Sequence, residues 1–160
     1  MGVKSFTEEN TSPVVANRLF SALIVNSGKL IPQLLPQIIK GVEVIQGDGG
    51  PGTVEQVNFV DGFKFSYVKH RINELDEKKC VCKYELIEGG PLGEKIEKIG
   101  YEVRIEVNGD GGSICRMTSI YYSIGDFEVD EMEIKEGKET AIGIYKVVEG
   151  HLLNNPQVYA

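Results

Sequence analysis

The amino-acid sequence predicts an α+β fold: seven strands in an antiparallel meander, then one long helix, with two short helices near the start. Three observations carry this. From Ile38 to about Ser123 apolar and polar residues alternate with a period of two. Clusters rich in Gly, Asp, Asn and Pro interrupt that alternation at short intervals. After Asp126 the period changes to that of a helix and holds to Asn154.

Lys4 to Thr11 reads as the first strand, closed by Thr11-Ser12-Pro13, in which Ser followed by Pro marks a helix start. Val14 to Ile24 then carries Val15, Leu19, Ala22 and Leu23 at helical spacing, and Asn26-Ser27-Gly28 ends it. A second piece, Leu30 to Leu35, is held short by Pro32 and Pro36, so two short helices with a kink between them are expected. Val42 to Gln46 runs as a strand into Gly47-Asp48-Gly49-Gly50-Pro51-Gly52-Thr53. Thr53 to Val60 sets Val54, Gln56 and Asn58 against Val57 and Phe59. Phe63 to Ile72 follows Asp61-Gly62, a hairpin dipeptide. Cys80 to Ile87 stops at Glu88-Gly89-Gly90-Pro91. Tyr101 to Val107 alternates most strictly and stops at Asn108-Gly109-Asp110-Gly111-Gly112, after which Ser113 to Ser123 completes the sheet. Short turns make neighbouring strands antiparallel, with one face wet.

Asp130 to Asn154 is a single helix, about 36 Å long at ~1.5 Å per residue, closed by Asn154-Asn155-Pro156. Gly137, Gly143 and Gly150 lie inside it, each costing ~1 kcal/mol relative to Ala. Either another group passes close to the helix, or it is thin where something else occupies the space, or the glycines stand on an exposed face.

With 160 residues, 41% hydrophobic and 26% charged, the chain fits one domain spanning 1–160. Its 17 Lys and Arg against 24 Asp and Glu leave a net charge of −7, the wrong sign for holding a phosphate backbone, so no DNA partner is expected. No run of apolar residues is long enough to span a membrane. Met1 to Ser5 lacks the apolar run of a signal peptide, and Phe6 stands where a myristoylation motif places Ser or Thr. Cys80, Cys82 and Cys115 are odd in number and have no metal-ligand spacing, as suits reduced thiols in a cytoplasmic protein with no metal and no cofactor.

The glycine run resembles a phosphate loop, since Gly47 and Gly52 have P-loop spacing. Thr53 and Val54 stand where Lys and Ser or Thr should follow, and the next element is a strand, so no helix N-terminus would face a phosphate. A glycine-rich turn between two strands is the expected role.

By alternation, the inward sets are Phe63, Phe65 and Tyr67; Cys82, Tyr84 and Leu86; and Tyr101, Val103 and Ile105. Cys115, Met117 and Tyr121 join them from the last strand, and Glu133, Gly137, Thr140, Ala141 and Ile144 from the helix. Such residues form either an ordinary core or the wall of a pocket. Glu133 is the one inward carboxylate expected.

"GVKSFTEENTSPVVANRLFSAL", "GDGGPGTV", "YVKHRINELD", "YELIEGGPLGEKIEKIGYE", "GDGGSI" and "AIGIYKVVEGHLLNNPQVYA", in this order, are similar to the plant pathogenesis-related class 10 proteins, the family of the major birch-pollen allergen. The resemblance covers essentially the whole chain. It implies a seven-stranded sheet curled around the C-terminal helix, two short helices in a V beneath that helix's end, and a large apolar cavity of the helix-grip type. It further implies that the positions above line this cavity together with Leu23, Phe59 and His70. Cys82 replaces a tyrosine usual in the family, which would widen the space.

The function implied is that of a defence-related binder of small amphipathic metabolites or phytohormones: flavonoids, cytokinins, steroids or fatty acids. A monomer is expected, a weak dimer being the alternative. Ribonuclease activity, attributed to relatives, would fall on Glu97, Glu149 and His151. Condensation chemistry of the alkaloid type, found in one branch of the superfamily, would need an acid such as Glu133 in the pocket.

Overall fold

The structure, a computed structural model, describes residues 2–160. Strand β1 (Val3–Ser12) leads into α1 (Ala16–Phe20), whose last turn widens over Ser21–Val25, and then into α2 (Ser27–Leu34). The strands β2 (Ile39–Gln46), β3 (Val54–Phe59), β4 (Tyr67–Asp76), β5 (Val81–Gly89), β6 (Ile96–Val107) and β7 (Ser113–Ser123) follow. The chain then enters the long helix α3 (Glu131–Asn154). All seven strands form one antiparallel sheet in the order β1-β7-β6-β5-β4-β3-β2, a meander to which β1 adds at the far edge.

Four expectations are corrected. Phe63 to Ser66 is loop, and β4 starts only at Tyr67. Phe63 stacks on Phe59 (centroids 4.6 Å apart) and Lys64 pairs with Glu136 on α3, so these residues serve as a bridge to the helix. Strand β6 begins at Ile96, five residues before the strict alternation; a bulge between Ile96 and Lys98 lets Ile96 and Ile99 both point inward, which masks the period of two. Helix α2 starts at Ser27 and includes Pro32; Val15 precedes α1 in extended conformation and is exposed, while Leu19, Ala22 and Leu23 are buried.

Both ends of α3 are fastened. Asp130 caps its start, its carboxylate accepting from Met132 N at 2.9 Å. At its end Arg18 of α1 donates to the carbonyls of Leu152, Asn155 and Val158 at 2.8, 2.6 and 2.7 Å, so the last turn's orphan carbonyls meet a cation. Buried apolar side chains form two separate clusters. One gathers α1, the turn after it and α2 beneath Tyr145, Val148 and Leu152 of α3, against Cys82, Val103, Ile105 and Cys115 of the sheet. The other sets Ile134 of α3 and Val129 against Val68, Leu86, Ile96, Ile99 and Tyr121.

Candidate functional site: the concave face of the sheet

Three strands set an aromatic group between those clusters. Tyr84 on β5 and Tyr101 on β6 are register partners, and their rings stack with centroids 4.9 Å apart and planes 25° from parallel. His70 on β4 stands edge-on to both, at 5.3 and 6.0 Å. Burial alone pushes the His70 imidazole down to about 4, so it is neutral at pH 7, and burial raises the phenols of Tyr84 and Tyr101. Among the described residues, neither phenol nor the imidazole has a hydrogen-bond partner. All three side chains, and Met117 beside them, are only half-buried although they lie on the inner face.

Across from this group α3 is bare. Ile134, Ala141, Tyr145, Val148 and Leu152 form one stripe at helical spacing, yet no residue between Ile134 and Tyr145 is buried. Ten residues of helix, about 15 Å, thus face the sheet without a sealed contact. The stripe is filled there by small residues, Gly137 and Ala141. The Tyr121 hydroxyl explains one of them: a Cβ on Gly137 would lie 2.8 Å from it. Nothing lies within 4 Å of a Cβ at Gly143 or Gly150, so those glycines face open space.

The expected lining divides into three groups. Cys82, Val103 and Leu23 are buried in the cluster under α1 and α2, as are Ile105 and Cys115, and Leu86 is buried in the other. His70, Tyr84, Tyr101, Met117, Phe59, Ala141 and Ile144 are half-buried, and so is Glu133, whose charge adds to burial in raising the Tyr121 phenol. Tyr67, Phe65 and Thr140 do not belong. Tyr67 sits three residues from His70 on an unbroken stretch of strand, hence on the opposite face, where its hydroxyl donates to Glu88 at 2.7 Å. Phe65 stays in the loop, edge-on to Phe63 and outside both clusters. Thr140 is exposed, about 100° around the helix from Ala141, its hydroxyl returned to the Glu136 carbonyl.

One inward residue escapes the sequence reading. Glu55 on β3 is the register partner of His70 and shares the parity of Val57 and Phe59, so it faces inward. Burial raises its carboxyl above the ordinary value, and among the described residues it has neither ion pair nor hydrogen bond. The alternation of Val57 and Phe59 held the signal; the charge of a glutamate obscured it.

The glycine loop uses its own donors. Gly49 N donates to Thr53 Oγ1 at 2.8 Å and Gly50 N to Asp48 Oδ1 at 3.0 Å, while Gly52 N reaches the Ile72 carbonyl at 2.7 Å and Thr53 N that of Gly50 at 3.1 Å. A phosphate would find these amides occupied and the Asp48 carboxylate beside them. Gly47 has a positive φ of 97°, and a Cβ there would lie 2.6 Å from Thr53 Cα, so buried Thr53 is what the loop wraps.

Glu97 and Glu149 are not brought together. Glu97 is exposed beside Ile96, at one end of β6; Glu149 acts on Tyr145, at the level of Cys115 and its partner Ile105. Eight residues of strand, roughly 27 Å, separate these levels. His151 contacts Asn155 through its Nδ1 at 3.4 Å. No paired acid and base results from these three residues.

Comparison with known proteins agrees with this architecture. The chain is 43% identical to the major strawberry allergen Fra a 1.08 of Fragaria ananassa over 159 residues, 99% of each chain. It is 43% identical over 160 residues, all of both chains, to the pathogenesis-related protein STH-2 of Solanum tuberosum. Among solved structures, Ara h 8.0201 superposes with a TM-score of 0.88 at 37% identity, covering 96% of this chain and 100% of that one. Norcoclaurine synthase from Thalictrum flavum shares the fold alone, at 22% identity and a TM-score of 0.79, covering 96% of this chain and 88% of that one. No helix among the described residues is long and apolar enough to cross a membrane. The model of the Pathogenesis-related protein Bet v 1 family matches residues 1–155, and the chain belongs to that family.

Proposed function

We propose that this protein carries or senses a small amphipathic metabolite or phytohormone, held as a monomer's cargo between the Tyr84–Tyr101 pair and the bare stretch of α3, in the reducing cytoplasm where its three buried thiols stay free. The observation that supports this reading is the break in the core: two sealed clusters with half-buried, unpartnered polar aromatics between them. Ordinary cores are packed to crystal-like density and satisfy their polar groups. A ligand of matching length would restore both. Each 100 Å² of apolar ligand surface removed from water contributes ~2.5 kcal/mol before ordering costs. The Tyr84 and Tyr101 hydroxyls and the His70 ring nitrogens orient the polar end.

The test is titration with the uncharged fluorophore N-phenyl-1-naphthylamine, followed by competition with a flavonoid, a cytokinin, a steroid and a fatty acid. Saturable one-to-one enhancement, displaced by at least one of the four and weakened in Tyr101→Ala, is the expected result. Absence of saturable enhancement, with no binding of the four by calorimetry, would overturn the proposal.

A further inference from the structure

Glu55 poses a problem that the carrier reading leaves open. A carboxylate partly removed from water needs a cation or several donors, and Glu55 has none among the described residues. The basic residues near it are committed elsewhere. On β4 to β7, Lys69, Arg71, Lys83, Lys98, Arg104 and Arg116 all alternate with inward residues and pair with carboxylates on the outer face. Lys138, the half-buried lysine of α3, is bound to Glu8. Lys29 on α2 and Lys40 on β2 are exposed. His70, the register partner of Glu55, is neutral. Among the described residues, the inner face of β3 to β7 therefore holds one uncompensated negative charge, beside His70 and on the same face as the Tyr84–Tyr101 pair.

We propose that Glu55 is a specificity residue for ligands bearing a protonated amine on an apolar body, the ammonium meeting the carboxylate while the body lies against Tyr84 and Tyr101. The neutral imidazole accepts a hydrogen bond from the ammonium without repelling it. Anionic amphiphiles are disfavoured for the same reason: no cation on this face would receive a carboxylate. The inference rests on the carrier reading above and narrows its ligand to a charge class.

The test uses three probes of nearly equal shape: 1-naphthylmethylamine, 1-naphthalenemethanol and 1-naphthoic acid, titrated calorimetrically against the whole protein at pH 7. The amine should bind roughly tenfold more tightly than the alcohol, and the acid more weakly than either. In Glu55→Gln the amine's advantage over the alcohol should vanish while the alcohol still binds, a pattern that loss of folding cannot produce. The wild-type advantage should also fade as pH falls and Glu55 takes up a proton. If the alcohol binds and the amine has no advantage, or keeps it in Glu55→Gln, the role of Glu55 is overturned and the carrier reading stands. If none of the three binds, the role of Glu55 is overturned, and the carrier reading is decided by the fluorophore titration above.

Discussion

The two halves of α3 treat the sheet differently. From Tyr145 to Leu152 the helix sinks three large side chains into a sealed cluster with α1, α2 and the early part of β7. From Lys135 to Ile144, on the same stripe, it buries no side chain and presents Gly137 to the hydroxyl of the buried Tyr121. One end is built for stability and the middle is left thin. That contrast, more than any single residue, sets this chain apart from an ordinary helix-on-sheet protein.

Truncations should break the symmetry of the two halves most visibly. Leu152→Ala, in the sealed half, should cost about 3 kcal/mol in urea unfolding, as a large-to-small change in a packed core does. Ile144→Ala should cost about 1 kcal/mol, because its side chain gives up less buried surface. Equal losses would mean that the middle is packed as tightly as the end.

Acid should act on the middle in particular. His70 in the folded chain titrates at about 4, against an ordinary value of 6.5. A depressed folded value means that the stabilisation is complete above about 6.5 and is lost as pH falls toward 4. The contribution lost is at most ~3 kcal/mol. Replacing the imidazole by a ring that cannot titrate, His70→Phe, should remove this part of the acid sensitivity, so the two stability curves should converge or cross between pH 6.5 and 4. Parallel curves over that window would show that the imidazole is solvated.

The glycines offer the smallest effects and the finest comparison. Gly143→Ala meets nothing within 4 Å and should gain about 0.5–1 kcal/mol of helix propensity. Gly137→Ala would set its Cβ 2.8 Å from the Tyr121 hydroxyl, so that gain should be cancelled or reversed. Thermal unfolding of the two variants side by side decides it; a gain at Gly137 equal to that at Gly143 would show that Tyr121 moves freely.

Much of this was legible in the residues. The strict alternation from Tyr101 to Val107 survives because no bulge interrupts that part of β6, and α3 declares itself by a long period and an Asn-Pro end. Two differences in the strands share one cause: parity does not carry across places where the backbone breaks it. Tyr67 reads as inward only when the alternation is continued back through Phe63, which is loop, and the bulge after Ile96 hides the start of β6. Glu55 does not read as inward because a charge in an alternating strand is ordinarily the wet position. The split of the core was not legible at all. It depends on how far the helix stands from a curved sheet, and Gly137 and Ala141 hint at that distance without setting it.

The proposed site centres on Ala141, and the most direct measurement fills it. Ala141→Phe places a ring on the bare part of the stripe; its affinity for N-phenyl-1-naphthylamine and its urea midpoint should be measured on the same preparation. The account predicts an affinity at least roughly tenfold lower with an unchanged or higher midpoint, since the ring occupies room that the ligand would take. A midpoint lowered by the ~1–3 kcal/mol of an overpacked core, with affinity unaltered, would contradict it.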